Sequence, residues 1–250
     1  MFMAASWAVL IRTTSAMAQP SVQQSCDTLR VKAWTTFRSC IERVIARDAK
    51  GILVDYYAPF ARCRHPYFKK WVGFQVKSTL QGSTCIGPRF TDNGDQTMTD
   101  RLTGLVWEKK QNRDGTEDLT NAHDADNGYL WTAGNLRETG SVFTDFLTNL
   151  NAGGGFAGSN GWRLPTIVEL QTILRDYACS GAGLSPQCDC TSIGCADPAF
   201  ESDSQFVSYC SATTDLPYGG AVWIVDFLDA DVVPFPKTLA CSVRAVRGGL

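Results

Sequence analysis

The sequence predicts an α+β chain in two parts: a cysteine-stapled helical hairpin, then a domain with two helices packed on antiparallel sheet. Three observations predict it. Apolar residues recur at helical spacing before residue 85, then fall into short strand-like runs after residue 88. The charge divides at the same place: Gln19 to Pro88 carries 11 basic and 4 acidic side chains, a net of +7, whereas Arg89 to Leu250 carries 11 and 21, a net of −10. Ten cysteines are accompanied by only two histidines, and no C-x-x-C knuckle occurs, so disulfides in an oxidising compartment explain them better than zinc.

At the N-terminus, Ala4 to Ile11 is a short apolar run and Ala16-Met17-Ala18 has the A-x-A form of a cleavage site. Residues 1–18 are therefore expected to be a signal peptide, although a basic leading region is missing and Arg12 interrupts the apolar stretch. No later apolar run approaches the roughly 20 residues needed to span a bilayer, so no membrane span is expected. Localisation outside the cytoplasm, secreted, periplasmic or at the cell surface, follows from these signs.

Residues 19–87 are read as the hairpin. Leu29, Ala33, Phe37, Ile41, Val44 and Ile45 give the first helix one apolar face. Gly51 and Pro59 bracket a connection. Pro66 is placed to start a second helix carrying Phe68, Trp71, Val72, Val76 and Leu80, which Gly82 would end. An antiparallel pair nests Cys40 with Cys63 and Cys26 with Cys85, one of the three connectivities that four cysteines allow. Two helices alone bury little core, and two staples would compensate.

Gly87-Pro88 marks the boundary, and residues 88–250 form the second domain. Phe90-Thr91 and Thr97-Met98-Thr99 flank Asn93-Gly94 as a β-hairpin, and Leu105-Val106-Trp107 is the next strand. Residues 111–140 are polar and irregular. Val142, Phe143, Phe146, Leu147 and Leu150 form an amphipathic helix capped near Ser141 and ending at Asn151. Thr166 and Glu169 fit a capping box for a second helix that turns Leu170, Ile173 and Leu174 inward. After a cysteine-rich loop holding Cys179, Cys188, Cys190 and Cys195, Val222 to Leu228 pairs with Val232 to Phe235 across Asp229-Ala230. Val243 to Val246 is the final strand.

Several segments together carry a resemblance: Arg89-Phe-Thr-Asp-Asn-Gly-Asp-Gln-Thr-Met-Thr-Asp100, Leu102-Thr-Gly-Leu-Val-Trp107, and His123-Asp-Ala-Asp-Asn-Gly-Tyr129 with Trp131. Phe143-Thr-Asp-Phe-Leu147, Phe156-Ala-Gly158, Trp162-Arg-Leu-Pro-Thr166 with Glu169-Leu170, Ser211-Ala-Thr-Thr214 and Val243-Arg-Ala-Val-Arg-Gly-Gly249 follow in order. Over about residues 89–249 the chain resembles the Lcl C-terminal domain family. The resemblance implies a C-type-lectin-like fold, related to that of the formylglycine-generating enzymes, and a role like that of the family's collagen-like bacterial adhesin, which binds sulfated glycans. The chain departs from its relatives at Gly155 and Asn160, where many have cysteines, and at Cys210, where a tryptophan is common. Cys210 and Cys241 lie on expected C-terminal strands and are candidates to pair.

Individual motifs narrow the chemistry. Gly153-Gly-Gly-Phe-Ala-Gly158 matches G-x-G-x-x-G, but a helix precedes it and no helix follows, the wrong setting for a dinucleotide. Asp124, Asp126 and Asn127 form the candidate calcium cluster, with loop-shaping hydrogen bonds as the plainer reading there and at Asp92, Asp95 and Asp100. Trp107, Trp162 and Trp223 sit among apolar neighbours and read as core. Trp131, beside Thr132 and Gly134, is the tryptophan expected to be exposed for sugar stacking. Arg163 and Glu169 suit an ion pair or cap better than catalysis, and together with Trp162, Leu164, Pro165 and Thr166 they read as a structural motif. Arg244 and Arg247 either bind acidic side chains or face solvent. His65 and His123 have no nucleophile motif beside them. The sequence thus suggests a non-catalytic binding module for glycans or surface proteins, with no nucleic-acid partner and no cofactor beyond a calcium ion. An oxidative enzyme using Cys210 and Cys241 as thiols, or a structural envelope protein, is the alternative.

Overall fold

The computed structural model describes residues 22–51, 57–80, 89–134, 136–174, 195–200, 208–216 and 219–249. The expected Cys26–Cys85 link and the side chains of Phe68, Trp71, Val72, Val76 and Leu80 lie outside the described residues, as do Cys179, Cys188 and Cys190.

Two long helices open the fold, α1 (Val22–Asp48) and α2 (Tyr57–Leu80). The apolar face read for α1 is the one it buries: Ala33, Phe37, Ile41 and Val44 are at most 7% exposed. The second helix starts at Tyr57, not at Pro66, which lies inside it. Proline costs an interior hydrogen bond, but Phe60, Cys63, Arg64 and Tyr67 are all buried on one face around it. That anchoring, with the Cys40–Cys63 disulfide, keeps the turn helical. Pro59 falls in the first turn of α2, where no intrahelical N–H bond is lost.

The rest of the chain is antiparallel sheet and short helices. Strands β1 (Phe90–Asp92), β2 (Thr97–Asp100), β3 (Leu105–Glu108) and, at the far end, β9 (Val246–Gly248) make a four-stranded sheet in the order β1-β2-β3-β9. Asn93 ties the first turn by donating to the Thr97 and Thr99 hydroxyls, at 2.8 and 3.0 Å. Arg89 grips Asp100 with two hydrogen bonds of 3.0 and 2.8 Å, fixing the start of this sheet. Strand β4 (Tyr129–Leu130) pairs with β8 (Ala240–Cys241), inside and next to segments that read as irregular. The final strand is shifted from the expected 243–246: residues 243–245 are extended but unpaired as a strand, and β9 begins at Val246.

The third sheet, β5 (Ser208–Asp215), β6 (Ala221–Asp226) and β7 (Val232–Pro236), is a meander with β6 in the middle. Val222, Trp223, Ile224 and Val225 are all buried because β6 is covered on both faces. Trp223 and Val225 enter a core shared with α1, α2, Trp107 and Leu170. Val222 and Ile224 enter a second core with Tyr129, Phe146, Leu150 and Trp162. The hairpin thus packs into the first core rather than standing apart. Between the sheets, a π-type turn (Val142–Phe146) runs into α3 (Leu147–Asn151), and α4 (Ile167–Leu170) runs into a 3-10 turn (Gln171–Ile173). Ser141 does not cap the first of these: its hydroxyl instead accepts the Leu130 N–H at 2.9 Å. The molecule is α+β, with antiparallel sheets and disulfide cross-links.

Candidate functional site

The segment Trp162 to Glu169 forms a brace. Thr166 and Glu169 make the full capping box at the start of α4. Arg163 closes on the Glu169 carboxylate with two hydrogen bonds of 2.8 and 2.7 Å, and its backbone bridges to Val246. The Glu169 hydrogen bonds hold the Arg163 guanidinium above its ordinary value. Asn151 reaches back from α3 to satisfy both the Trp162 N–H and C=O, each at 2.9 Å. The Trp162 indole donates to the Phe156 carbonyl at 2.8 Å. Leu164 and Pro165 are buried, and Pro165 receives the Ala212 N–H. All these groups are occupied in joining the C-terminal sheets to the short helices.

Asp124, Asp126 and Asn127 are brought into one loop, where most of their polar atoms hold the chain, although Asn127 Oδ1 is buried without a hydrogen-bond partner. Asp124 accepts the Asp126 N–H at 2.9 Å. Asp126 accepts the Asp114 and Gly115 N–H groups at 2.8 and 2.7 Å. Asn127 donates to the Asp118 and Asn121 carbonyls. Asp92 and Asp95 do the same locally for Gly94 and Thr97. Among the described residues, no cluster of three His, Cys, Asp or Glu side chains has metal-holding geometry.

Trp131 is not exposed. It is 3% accessible, with the Lys237 ammonium 4.1 Å above its ring and Phe143 edge-on at 5.1 Å. Of the two neighbours that suggested exposure, Gly134 is exposed but Thr132 is buried, and the ring is covered by Lys237, itself only 3% accessible. Cys210 and Cys241, the two candidate thiols, are joined to each other. Cys195 is also disulfide-bonded.

One cluster had no signal in the sequence. Glu108, at the end of β3, is fully buried and accepts the Ala245 N–H at 2.8 Å. Lys110 lies 2.9 Å from its carboxylate and also donates to the Ala122 carbonyl, while His123 Nδ1 is 2.8 Å away. Arg244, also buried, donates to the Glu108 carbonyl at 2.9 Å. Burial by itself would raise the Glu108 carboxyl, but the Lys110 ammonium and the His123 and Ala245 hydrogen bonds hold it below its ordinary value. Burial depresses the Lys110 amine, partly offset by Glu108. The network anchors the 109–128 loop to the C-terminal segment.

That anchored loop forms one wall of a cleft of about 270 Å³, lined by Leu119, Gly128, Tyr129, Ser141, Thr144, Asp145 and Asn149. Its size is near the lower end of the ~300–1,000 Å³ typical of small-molecule sites. Thr144, Asp145 and Asn149 project to solvent from the helical segment opposite, and Leu119 is 58% exposed at the rim. Glu117 accepts the Gly128 N–H at 3.1 Å, adding a second carboxylate beside the wall. Burial pushes the Tyr129 phenol up to about 12, so it keeps its proton at neutral pH. The cleft therefore offers two hydroxyls, an amide, a carboxylate and an apolar edge. Gly128, Tyr129, Thr144 and Asp145 of this lining fall within the segments that carry the resemblance, and Ser141 was read as a cap, but none was singled out as a ligand-binding residue.

Fold and site define a disulfide-cross-linked α+β protein whose sheets and short helices frame a polar surface cleft. The chain belongs to the Lcl C-terminal domain family, whose model matches residues 96–247. Neither curated proteins nor solved structures gave a match.

Proposed function

We propose that the chain is an exported, non-catalytic recognition module of C-type-lectin-like architecture that binds hydroxyl-rich, uncharged sugars on a glycan or a surface glycoprotein. The observation that carries this reading is the cleft lined by Ser141, Thr144, Asp145 and Asn149. Hydroxyl, amide and carboxylate groups pair naturally with sugar hydroxyls, and Leu119 offers an apolar contact for a C–H face. Charge argues for an uncharged ligand. The domain from Arg89 onward carries a net −10, and Asp145 stands in the cleft itself. A sulfated glycan would be repelled there and would be drawn to the +7 segment instead.

Export is supported by the described disulfides, which persist in oxidising compartments, and by the Ala16-Met17-Ala18 cleavage pattern. Among the described residues, no helix is long and apolar enough to cross a membrane. The alternative oxidative enzyme would first have to reduce the Cys210–Cys241 bond to obtain its thiols.

The test is a glycan array with the whole chain, with and without a calcium chelator, at low and high salt. Binding to neutral glycans that is insensitive to salt and falls at least tenfold in Asp145→Ala and Asn149→Ala supports the reading. Binding confined to sulfated glycans and abolished by salt would overturn it in favour of the basic segment. Binding that requires calcium would move the site to the aspartates of the 114–127 loop.

A further inference from the structure

The hairpin is fastened to the family domain by contacts of very different chemistry. Phe60 meets Trp223 edge-on at 5.4 Å, an ordinary apolar joint. Arg64, fully buried, donates to the Gln171 side-chain carbonyl at 3.1 Å and to the Ala230 backbone carbonyl at 3.3 Å. A third contact is between two acids. Asp48, the last residue of α1, and Asp215, the last residue of β5, are 4% and 0% exposed and their carboxyl groups meet across the joint. Three of their oxygens, Asp48 Oδ2 and both of Asp215, have no hydrogen-bond donor.

Two buried carboxylates that meet with three of their four oxygens lacking a donor cannot both stay ionised. A single shared proton turns the repulsive pair into a hydrogen bond, the arrangement used by carboxylate dyads. Among the described residues, no cation acts on Asp215 to replace that proton. On α1, Arg47 and Lys50 flank Asp48 but are exposed. On α2, Arg64 is held by Gln171 and Ala230. After β7, Lys237 is turned to the Leu136 carbonyl and the Trp131 ring. Asp48 is the charged group felt by Asp215 among the described residues. The C-terminal end of α1 adds its own partial negative charge beside Asp48.

We propose that Asp48 and Asp215 form a proton-operated clasp, which holds the hairpin against the family domain while one proton is shared and loosens the joint when that proton leaves. Burial first, and then Asp48, pushes the Asp215 carboxyl up to about 6. Because its value in the folded chain lies above the unfolded 3.8, the stabilisation is complete below that lower value. It is lost as pH rises through about 6. Between pH 5 and 7.5 the folded-to-unfolded ratio should fall roughly tenfold on this account. The depressed carboxyls of Asp92, Glu108 and Asp118 titrate below this window.

The test is urea unfolding of the whole chain at pH 5 and pH 7.5, for wild type, Asp215→Asn and Asp48→Asn, with a carbon-13 carboxyl titration of the wild type. An asparagine at either position donates to the remaining aspartate without needing a proton. The expected result is an aspartate titrating near pH 6 in the wild type, and a roughly tenfold loss in folded-to-unfolded ratio that either asparagine variant abolishes. Equal pH dependence in wild type and variants would overturn the proposal. So would the lack of any aspartate titrating between pH 5 and 7, a result that does not depend on the variants folding. Stabilisation of the wild type at pH 7.5 by calcium chloride, lost in Asp215→Asn, would also overturn it by making the pair a cation site.

Discussion

Glu108 offers the sharpest test of what holds this fold together. Its carboxylate receives the Ala245 N–H at 2.8 Å and the Lys110 ammonium at 2.9 Å, with both ionic side chains at most 2% exposed. Glu108→Ala leaves Lys110 as a buried charge without its carboxylate at 2.9 Å, and strips Ala245 of its acceptor. Breaking a buried pair in this way costs about 3–5 kcal/mol, a large share of the ~5–15 kcal/mol that stabilises a typical domain. Glu108→Gln keeps the shape but loses the charge, and should cost about 1.5–3 kcal/mol. Lys110→Met should cost less than Glu108→Ala, because Glu108 retains Ala245 and His123 as donors. Removing both charges abolishes the orphan, so the double variant should be less damaged than the sum of the singles by about 2 kcal/mol. Urea unfolding at neutral pH with disulfides intact reads these differences from the midpoint and slope. Additivity within about 0.5 kcal/mol would refute the coupling.

Acid should expose the same site: with its folded value below the ordinary 4.5, Glu108 stabilises the fold above that pH, and the urea midpoint should drop from about pH 5 to about pH 3, less steeply in Glu108→Gln. Replacing Cys210 and Cys241 by serine opens a loop with a sequence separation of 31 and should cost about 3–4 kcal/mol, read as a lower melting temperature. Arg163→Lys cannot reproduce the two parallel bonds to Glu169 and should cost about 1 kcal/mol in urea unfolding, a modest figure because the arginine is 43% exposed. Gly155→Ala should be far more damaging: a Cβ there would meet the Ser159 carbonyl at 2.0 Å in a backbone with φ +73°, so poor soluble yield and a lowered melting temperature are expected.

What the sequence reveals, and what it hides, follows from range. The α1 face, the Asn93-Gly94 turn and the Thr166–Glu169 box were legible because period, turn chemistry and capping are local. Cys40–Cys63 and Cys210–Cys241 were legible because only a few partners compete near each helix or strand. Pro66 misled because tertiary anchoring by Phe60, Cys63, Arg64 and Tyr67 overrides a local breaker. Trp131 misled because Thr132 folds inward beside it, and the lysine that covers it comes from the far end of the chain. The cleft was invisible for a related reason. Its hydroxyls, amide and carboxylate stand on one helical segment, 141–149, whose apolar face dominated the sequence reading, and only the β4–β8 pairing and the Glu108 network set the wall of Leu119, Gly128 and Tyr129 opposite them.

The boundary between hairpin and family domain is therefore clear in the sequence but not in the packing. The family match begins at residue 96, yet Phe60 covers Trp223, Arg64 satisfies Gln171, and α1 supplies Phe37 and Ile41 to the same core as Trp107 and Leu170. Residues 96–247 taken alone would leave Trp223 uncovered on that face and the Gln171 side-chain carbonyl without its arginine, and would also lose β1 and the Arg89–Asp100 grip. Burying apolar surface contributes about 25 cal/mol per Å², so uncovering one tryptophan's worth of core, about 200 Å², forfeits several kcal/mol before any hydrogen bond is lost. The cleft lies away from this joint: Tyr129 in its wall belongs to the second core, to which no described residue of the hairpin contributes. Loosening the hairpin should therefore weaken the scaffold without reshaping the cleft, which separates the part of the chain that holds the fold from the part proposed to meet a ligand.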